Sequence, residues 1–456
     1  MNYKTKSLAK TSLFYVLLTG ISAWIFLLIN NYGKNLHPIS ITINTPTHVE
    51  NQQLFHFLLA LILIIVVTRI GGIIFKFLKQ PPVIGEIIGG ILLGPSLLGQ
   101  IAPQAMSFLL PSSIAPLLNV IAQLGIILYM FLIGLEIDLN ALKKSAHSTI
   151  AISHASIVFP FILGAALSLW LFDLLAPPNI DITSFSLFIG VSMSITAFPV
   201  LARILTDQGL HKTKLGGLAL TCAAIDDVTA WCLLAFLTSF IEAKISNAIS
   251  TVVWTLIYIL LMFFVVKPIL ARKLSQLNQQ KEGDGLFLLL VGVLLSACLT
   301  DFIGIHALFG AFLLGAIIPH DNGLAINLNY RLQEIIKLLF LPAFFVFTGM
   351  RTQINLLSST QDWLICVAII AVATIGKFGG TLIAARFTGL SWRNSVGLGI
   401  LMNTRGLVEL IVLNIGLDLG VISPRLFTMM VIMALVTTIM TGPALRLING
   451  FEDQSK

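Results

Sequence analysis

Two adjacent aspartates, Asp226 and Asp227, lie in the middle of a long apolar segment, residues 215–240, and are the side chains of this chain best suited to chemistry. A helix through this segment places both carboxylates near the midplane of a lipid bilayer, where a charged side chain costs about 2.5–3.5 kcal/mol on insertion scales. Packing alone rarely justifies that cost. The doublet therefore predicts a site for a proton or a cation inside a membrane protein.

A third charge, Lys377, lies midway along the apolar segment 363–388, among glycines that allow another helix to approach closely. Consecutive helical residues point about 100° apart, so the two aspartates cannot face the same partner. We expect one of them to pair with Lys377 and the other to open onto a water-filled cavity, where protons and a monovalent cation compete for it. The alternative, a buried Asp–Lys pair that only fixes packing, accounts for one aspartate but not for two.

The composition agrees with a polytopic membrane protein. The chain has 456 residues, of which 57% are hydrophobic and only 10% are charged, whereas soluble proteins carry about 25% charged residues. The net charge of +7 is better explained by basic cytoplasmic loops than by nucleic-acid binding. The chain lacks the Gly-x-x-x-x-Gly-Lys-Ser/Thr loop of ATP-driven pumps, and its four cysteines show neither zinc nor disulfide spacing. We therefore expect a transporter without a bound cofactor, not an enzyme.

A spanning helix needs about 20 apolar residues. On this basis the sequence predicts about fourteen transmembrane helices, an all-α fold, at residues 12–30, 54–78, 82–98, 117–137, 148–172, 184–206, 215–240, 246–270, 285–301, 305–319, 336–350, 363–388, 393–416 and 425–446. We interpret residues 1–53 as a retained signal-anchor helix with an outward-facing loop, 54–446 as the transmembrane domain, and 447–456 as a short cytoplasmic tail.

The distribution of basic residues predicts the orientation. With the N-terminus inside, most of the 27 lysines and arginines fall on the cytoplasmic side, and only Lys34, Lys244, Arg351 and Arg425 fall outside. Loops rich in Lys and Arg stay in the cytoplasm. We expect a multi-pass protein of the cell (inner) membrane with both termini cytoplasmic.

Two of these helices, the sixth and the thirteenth, are interrupted. Thr196 and Pro199 interrupt the sixth, and Asn403 and Thr404 interrupt the thirteenth. The two helices are seven apart, so they cross the membrane in opposite directions, and each is followed by one further helix. Broken helices at matching places in two inverted repeats indicate the midplane site of a transporter. The alternative is a pair of unrelated kinks.

Arg405 and Glu409 follow the second break and lie four residues apart on one helix face. They either simply pair with each other or, together with Lys377, balance charge at the broken helix ends.

Four stretches together resemble the monovalent cation:proton antiporter-2 family of the sodium/hydrogen exchanger fold, which includes bacterial members and the plant cation/H+ exchangers. The resemblance covers about residues 54–446 and rests on Gln-Pro-Pro-Val-Ile-Gly-Glu-Ile-Ile-Gly-Gly-Ile-Leu-Leu-Gly-Pro-Ser at 80–96, Phe-Leu-Ile-Gly-Leu-Glu-Ile-Asp at 131–138, Ile-Asp-Asp at 225–227, and Met-Asn-Thr-Arg-Gly-Leu-Val-Glu-Leu-Ile-Val-Leu-Asn-Ile-Gly at 402–416.

This resemblance implies a homodimer with an elevator-like cycle, in which two unwound helix segments cross beside the acidic pair. Its site assignments fall on two sets of residues. It implies that Asp227 carries the cation and the proton, and that Asp226 is the partner of Lys377. By position, the crossing falls on Ala197, Pro199, Asn403 and Thr404. An Asp-Asp doublet with a lysine resembles the electrogenic branch of the family. The C-terminal regulatory domain frequent in the family is absent from the sequence given, which argues against ligand gating.

We therefore expect a secondary antiporter that exchanges Na+ or K+ for H+, with Thr196, Asn403 and nearby carbonyls completing a site around Asp227. The main alternative is a gated cation (K+) efflux channel on the same scaffold. A sensor and a symporter for organic anions are further alternatives, disfavoured by the short tail and the acidic centre respectively.

Overall fold

The computed structural model describes residues 49–136, 147–210, 213–242, 245–276, 282–318 and 332–449. By contacts the chain forms two compact units, Met1–Gln52 and Gln53–Lys456. The predicted first helix, 12–30, nearly all of the loop that follows it, and the end of the predicted tail lie outside the described residues. All that follows concerns the second unit.

Every described element is a helix. The α-helices are α1 Val49–Phe77, α2 Pro82–Leu93, α3 Leu98–Ile101, α4 Pro103–Leu109, α5 Ala115–Glu136, α6 His147–Leu175, α7 Ile182–Ser194, α8 Phe198–Asp207, α9 Lys214–Glu242, α10 Ile245–Leu261, α11 Lys267–Gln276, α12 Glu282–Ile303, α13 Ala307–Ile317, α14 Leu341–Arg351, α15 Thr360–Phe387, α16 Trp392–Met402, α17 Leu407–Asp418 and α18 Pro424–Asn449. A π-helical turn, Met262–Val266, joins α10 to α11, and another, Ile336–Phe340, precedes α14.

Within the described residues, 11 helical segments are long and apolar enough to span a membrane, and the count reaches 12 if the pair α16–α17, bent by 44°, is one span. The helix α13 is apolar but shorter. Each predicted span from 54–78 onward has a helical counterpart, so the all-α polytopic fold is confirmed. The total of fourteen stays a prediction.

The helices pack as two groups. The scaffold bundle comprises α1, α2, α5 and α12–α14, and the site bundle comprises α6–α9 and α15–α18. In the scaffold bundle, a Cβ on Gly134 of α5 would lie 2.2 Å from the carbonyl oxygen of Phe312, and one on Gly315 of α13 would lie 2.2 Å from that of Phe131. Only glycine permits so close a helix–helix approach.

Both predicted helix breaks are present in the site bundle. The helix α7 ends at Ser194, the next three residues are not helical, and Pro199 lies in the first turn of α8. A proline fits there because its missing N–H needs no partner in the first turn. The second break separates α16, which ends at Met402, from α17. Each broken helix is followed by one long helix, α9 or α18.

Candidate functional site

The two broken helices cross and are hydrogen-bonded at the crossing. The backbone N–H of Ala197 donates to the carbonyl oxygen of Thr404 over 3.1 Å. The hydroxyl oxygen of Thr196 lies 3.3 Å from the carbonyl oxygen of Met402, while its proton is donated over 2.7 Å to Asp226. The Ala197–Thr404 bond satisfies backbone groups that the helix breaks leave without partners in the membrane interior. The two interruptions are therefore parts of one structure and not unrelated kinks.

Asp226 lies beside this crossing, is fully buried, and accepts four hydrogen bonds. The donors are the hydroxyls of Ser153 (2.5 Å), Ser156 (2.7 Å) and Thr196 (2.7 Å) and the Nζ of Lys377 (2.9 Å). Both carboxylate oxygens of Asp226 therefore have hydrogen-bond donors, one of them a lysine ammonium. Asp226 is thus the aspartate that pairs with Lys377, and it also holds Thr196.

The two serines were not predicted from the sequence. Ser153 and Ser156 lie three residues apart on α6, so both face the same neighbour. In sequence they lie about 70 positions before Asp226. Two small hydroxyls on one face of an apolar helix were the only signal, and that pattern is common in membrane helices.

Lys377 and Arg405 both cap the C-terminal end of α7. The Nζ of Lys377 donates to the carbonyl oxygen of Ser194 over 2.5 Å. The guanidinium of Arg405 donates to the carbonyl oxygens of Met193 (2.7 Å) and Ser192 (3.2 Å). The C-terminus of a helix carries a partial negative charge and unpaired carbonyl groups. Two buried cations stabilise this end of the broken helix.

Arg405 also forms an ion pair with Glu409, at 3.1 Å between Nη1 and Oε2, and both side chains are fully buried. The two expected roles are therefore both present: the residues pair with each other, and Arg405 caps α7. The second carboxylate oxygen of Glu409 has no hydrogen-bond partner among the described residues.

Asp227 differs from its neighbour in every contact. Its side chain is 0% exposed, and neither carboxylate oxygen has a hydrogen-bond partner among the described residues. The backbone N–H of Phe198, at the start of α8, interacts electrostatically with this carboxylate. The side-chain oxygen of Asn403, at the second break, is also buried without a partner. A buried carboxylate with no partner is stable only when a proton or a cation neutralises it.

The expectation that one aspartate opens onto a water-filled cavity is wrong for this conformation. A cleft of about 640 Å³ lies between the two bundles, and its lining includes Pro199 and Val200 of α8 and Leu407 of α17. The first turns of α8 and α17 thus line this cleft, while Asp227 itself is fully buried. Asp227 is therefore occluded, and the aqueous route approaches it without reaching it.

At the other end of this interface, the bundles are bonded to each other. Arg351, the last residue of α14, forms an ion pair with Asp418 of α17 and donates to the Oδ1 of Asn414 over 3.0 Å. The amide of Asn414 in turn donates to the hydroxyl of Thr348 over 2.8 Å. Asp418 lies 11 residues beyond Leu407, which is about 16 Å along a helix. The interface is thus open at one end and closed at the other.

The known proteins that this chain resembles in sequence and in fold are named as cation/proton antiporters. The family described as "sodium/hydrogen exchanger, transmembrane" matches residues 54–448. The chain is 43% identical over 400 residues to the Na+/H+ antiporter NhaS4 of Synechocystis, covering 87% of this chain and 97% of that protein. It is 39% identical to cation/H+ antiporter 17 of Arabidopsis thaliana, covering 89% of this chain and 50% of that protein.

The chain is also 36% identical to K+/H+ antiporter 1 of Saccharomyces cerevisiae, covering 88% of this chain and 47% of that protein. It therefore spans about half the length of these plant and yeast relatives. Among solved structures, the sodium proton antiporter MjNhaP1 of Methanocaldococcus jannaschii has a similar fold. The TM-score is 0.56 at 16% identity, covering 86% of this chain and 96% of that chain.

Proposed function

The chain belongs to the sodium/hydrogen exchanger family, and on that premise we propose that it is a secondary antiporter exchanging Na+ or K+ for H+ at Asp227. The observation that carries this proposal is the contrast between two adjacent aspartates. Asp226 accepts four hydrogen bonds, one of them from Lys377. Asp227 accepts none from the described residues, although it is equally buried.

The charges of the buried cluster explain why a proton and a cation would compete. Asp226 is paired with Lys377, and Glu409 is paired with Arg405. Asp227 is the remaining charge of the cluster, and no side chain among the described residues donates a hydrogen bond to it. One proton or one alkali cation neutralises it, whereas binding both would leave a net positive charge buried in the membrane. Occupation by either ion therefore excludes the other, which is the requirement for exchange.

Asn403 and Thr196 complete the site in this proposal. The unpartnered oxygen of Asn403 is a suitable ligand for an alkali cation at Asp227. Thr196 donates its hydroxyl proton to Asp226, so its oxygen remains available as an acceptor while its position is fixed. Ala197, Pro199 and Thr404 hold the crossing in place.

We propose an elevator-like cycle in which the site bundle moves against the scaffold bundle. The cleft at one end of the interface and the contacts of Arg351 at the other are those expected of one end state. In the opposite state, the bonds from Arg351 to Asp418 and Asn414 would break and the cleft would close. The cycle would be electrogenic, because the Asp226–Lys377 pair can carry a second proton.

The cleft would face the cytoplasm of a cell (inner) membrane, with both termini on that side. This orientation is supported by Lys76, Arg203 and Lys337, which line the cleft and belong to the basic residues assigned inside. The functional unit would be a homodimer in the lipid bilayer.

The test is transport by the purified protein in liposomes that carry an imposed pH gradient and an internal pH dye. We expect Na+, K+ or Li+ added outside to dissipate the gradient, and the comparison of the three ions gives the selectivity. Asp227→Asn should abolish this response, while Asp173→Asn, which changes an exposed aspartate of the same bundle, should keep it. Cation-dependent proton movement that persists in Asp227→Asn would rule out the proposed carrier.

The same assay separates the antiporter from a gated cation channel. A channel would carry the cation without moving protons in the opposite direction, so a voltage clamp with valinomycin and K+ would abolish the dye signal.

A further inference from the structure

The charged side chains that line the cleft near the proposed cation site are mainly positive, and they repel cations. Four basic side chains line it, namely Arg69, Lys76, Arg203 and Lys337, and Glu86 is the acidic one among the described lining residues. An aqueous vestibule with excess positive charge repels cations and lowers their local concentration. The charges of this cleft are better suited to an anion than to the proposed transported ion.

Two of these cations lie on one face of α1. Arg69 and Lys76 are seven residues apart, which is two helical turns, and Gly72 and Ile73 lie between them on the same face of the cleft. Arg69 is eight residues from the end of α1 at Phe77, about 12 Å into the span. An arginine at that depth is tolerated where it faces water or an anion.

The guanidinium of Arg69 is open to the cleft. It lies near the carboxylate of Glu86 on α2. A guanidinium offers five donors in a planar fork that matches the oxygens of a phosphate group. Lys76, two turns closer to the helix end, adds a second positive charge along the same wall.

The walls of the cleft combine this charge with exposed apolar surface. Ile73 is 58% exposed and Leu338 is 55% exposed, and both line the cleft beside the basic residues. Positive charge next to apolar surface at the end of a span suits the headgroup of an anionic lipid.

We propose that a phosphate-bearing anion binds in this cleft, held by Arg69 and Lys76 of the scaffold bundle. The wall opposite them includes Arg203 on α8 of the site bundle. Because residues of both bundles flank the anion, it binds only while the cleft is open and therefore stabilises that conformation. By neutralising the lining, it also raises cation occupancy of the vestibule. This second effect rests on the proposed function, whereas the binding itself does not.

The experiment compares Arg69→Gln/Lys76→Gln with a control, Lys214→Gln/Lys273→Gln, which removes the same charge from exposed positions outside the cleft. Melting temperature is measured for the full chain in detergent with phosphatidylcholine alone, with added phosphatidylglycerol, or with inorganic phosphate. We expect phosphatidylglycerol to raise the melting temperature of the wild type and of the control, and the Arg69/Lys76 variant to require about tenfold more of it.

The arms of this experiment identify the source of the phosphate. A response to phosphatidylglycerol alone assigns a lipid headgroup, and an equal response to inorganic phosphate assigns a soluble anion. Asp227→Asn, which is expected to lose antiport, should keep the wild-type response, so that failure of the proposed function and failure of this inference can be told apart. If the Arg69/Lys76 variant responds as the wild type does, or if neither anion affects the wild type, the inference is overturned.

A transport measurement adds the functional consequence. In liposomes with roughly one anionic lipid in five, the cation concentration for half-maximal exchange should be lower than in phosphatidylcholine alone, for both the wild type and the control. The Arg69→Gln/Lys76→Gln variant should lose this difference. Because the control carries the same net charge, a difference that it lost as well would be a general surface-potential effect and would refute a role for the cleft.

Discussion

Replacement of Lys377 by methionine tests the assignment of the two aspartates most sharply. Methionine keeps much of the side-chain volume but removes the charge and both hydrogen bonds of Nζ, to Asp226 (2.9 Å) and to the carbonyl oxygen of Ser194 (2.5 Å). The carboxylate of Asp226 then retains its three hydroxyl donors but loses its one cationic contact among the described residues. The end of α7 keeps Arg405 as its cap.

The loss of stability expected from this substitution follows from the burial of the Lys377–Asp226 ion pair, since both side chains are 0% exposed. Removing one partner of a buried ion pair destabilises a protein by about 3–5 kcal/mol, because the other charge is left uncompensated. Asp226→Asn should have a similar effect, since it leaves Lys377 unpaired. The double variant removes both charges, so it should be less destabilised than the sum of the single variants by about 3 kcal/mol.

The assay is a double-mutant cycle on the free energy of unfolding in mixed detergent, at a pH near 6 and without alkali cations. The matched control is the cycle of Lys377→Met with Asp227→Asn. Asp227 makes no hydrogen bond or ion pair with Lys377. The control coupling should therefore be below about 0.5 kcal/mol.

Equal coupling of Lys377 to both aspartates would refute the asymmetry on which the site rests. A stronger coupling to Asp227 would reverse the two roles.

Three further predictions concern other parts of the structure. Gly406→Ala should lower the free energy of unfolding by about 1–3 kcal/mol, because the added Cβ would lie 2.6 Å from the Cγ2 of Val200 at the crossing. The control is Gly379→Ala, because an added Cβ there meets nothing within 4 Å. Gly389 also has open space around it, but its φ of +92° would strain an alanine. Arg351→Gln removes a partly exposed ion pair to Asp418, which contributes about 0.2–1 kcal/mol. Losing it should raise the population of the conformation with the closed cleft by up to about fivefold. A fluorescence measurement of the distance between the two bundles would detect this change. Hydrogen bonds donated by Ser184 lower the pKa of the Asp181 carboxyl. Asp181→Ala should therefore lower the melting temperature at neutral pH. The difference in melting temperature between the wild type and this variant should vanish as the pH falls through that lowered pKa.

Much of the site could be predicted from the sequence because its members are rare in membrane helices. The doublet at Asp226 and Asp227, the buried Lys377, and the two breaks each violate the composition of an ordinary apolar span. The pairing of Arg405 with Glu409 follows from their spacing of four residues. Such residues destabilise a membrane-spanning helix, so their presence in the sequence indicates a functional site.

Other features depend on tertiary contacts that leave no local pattern. The residues alone could not decide which aspartate pairs with Lys377, because helical geometry separates the two without ranking them. The hydroxyls of Ser153 and Ser156 and the bond from Arg351 to Asn414 join positions more than 60 residues apart. The occlusion of Asp227 was also missed, since it depends on how the first turns of α8 and α17 pack in one conformation.

The most direct test of alternating occupation is a count of the protons released when an alkali cation binds. The purified protein is titrated with Na+ or K+ in weakly buffered solution containing a pH indicator, and cation binding is followed in parallel by calorimetry. If a cation displaces a proton from Asp227, binding should release up to one proton per cation from that carboxyl, and Asp227→Asn should release none. Cation binding without proton release at any pH, or the same release from Asp227→Asn, would contradict the account.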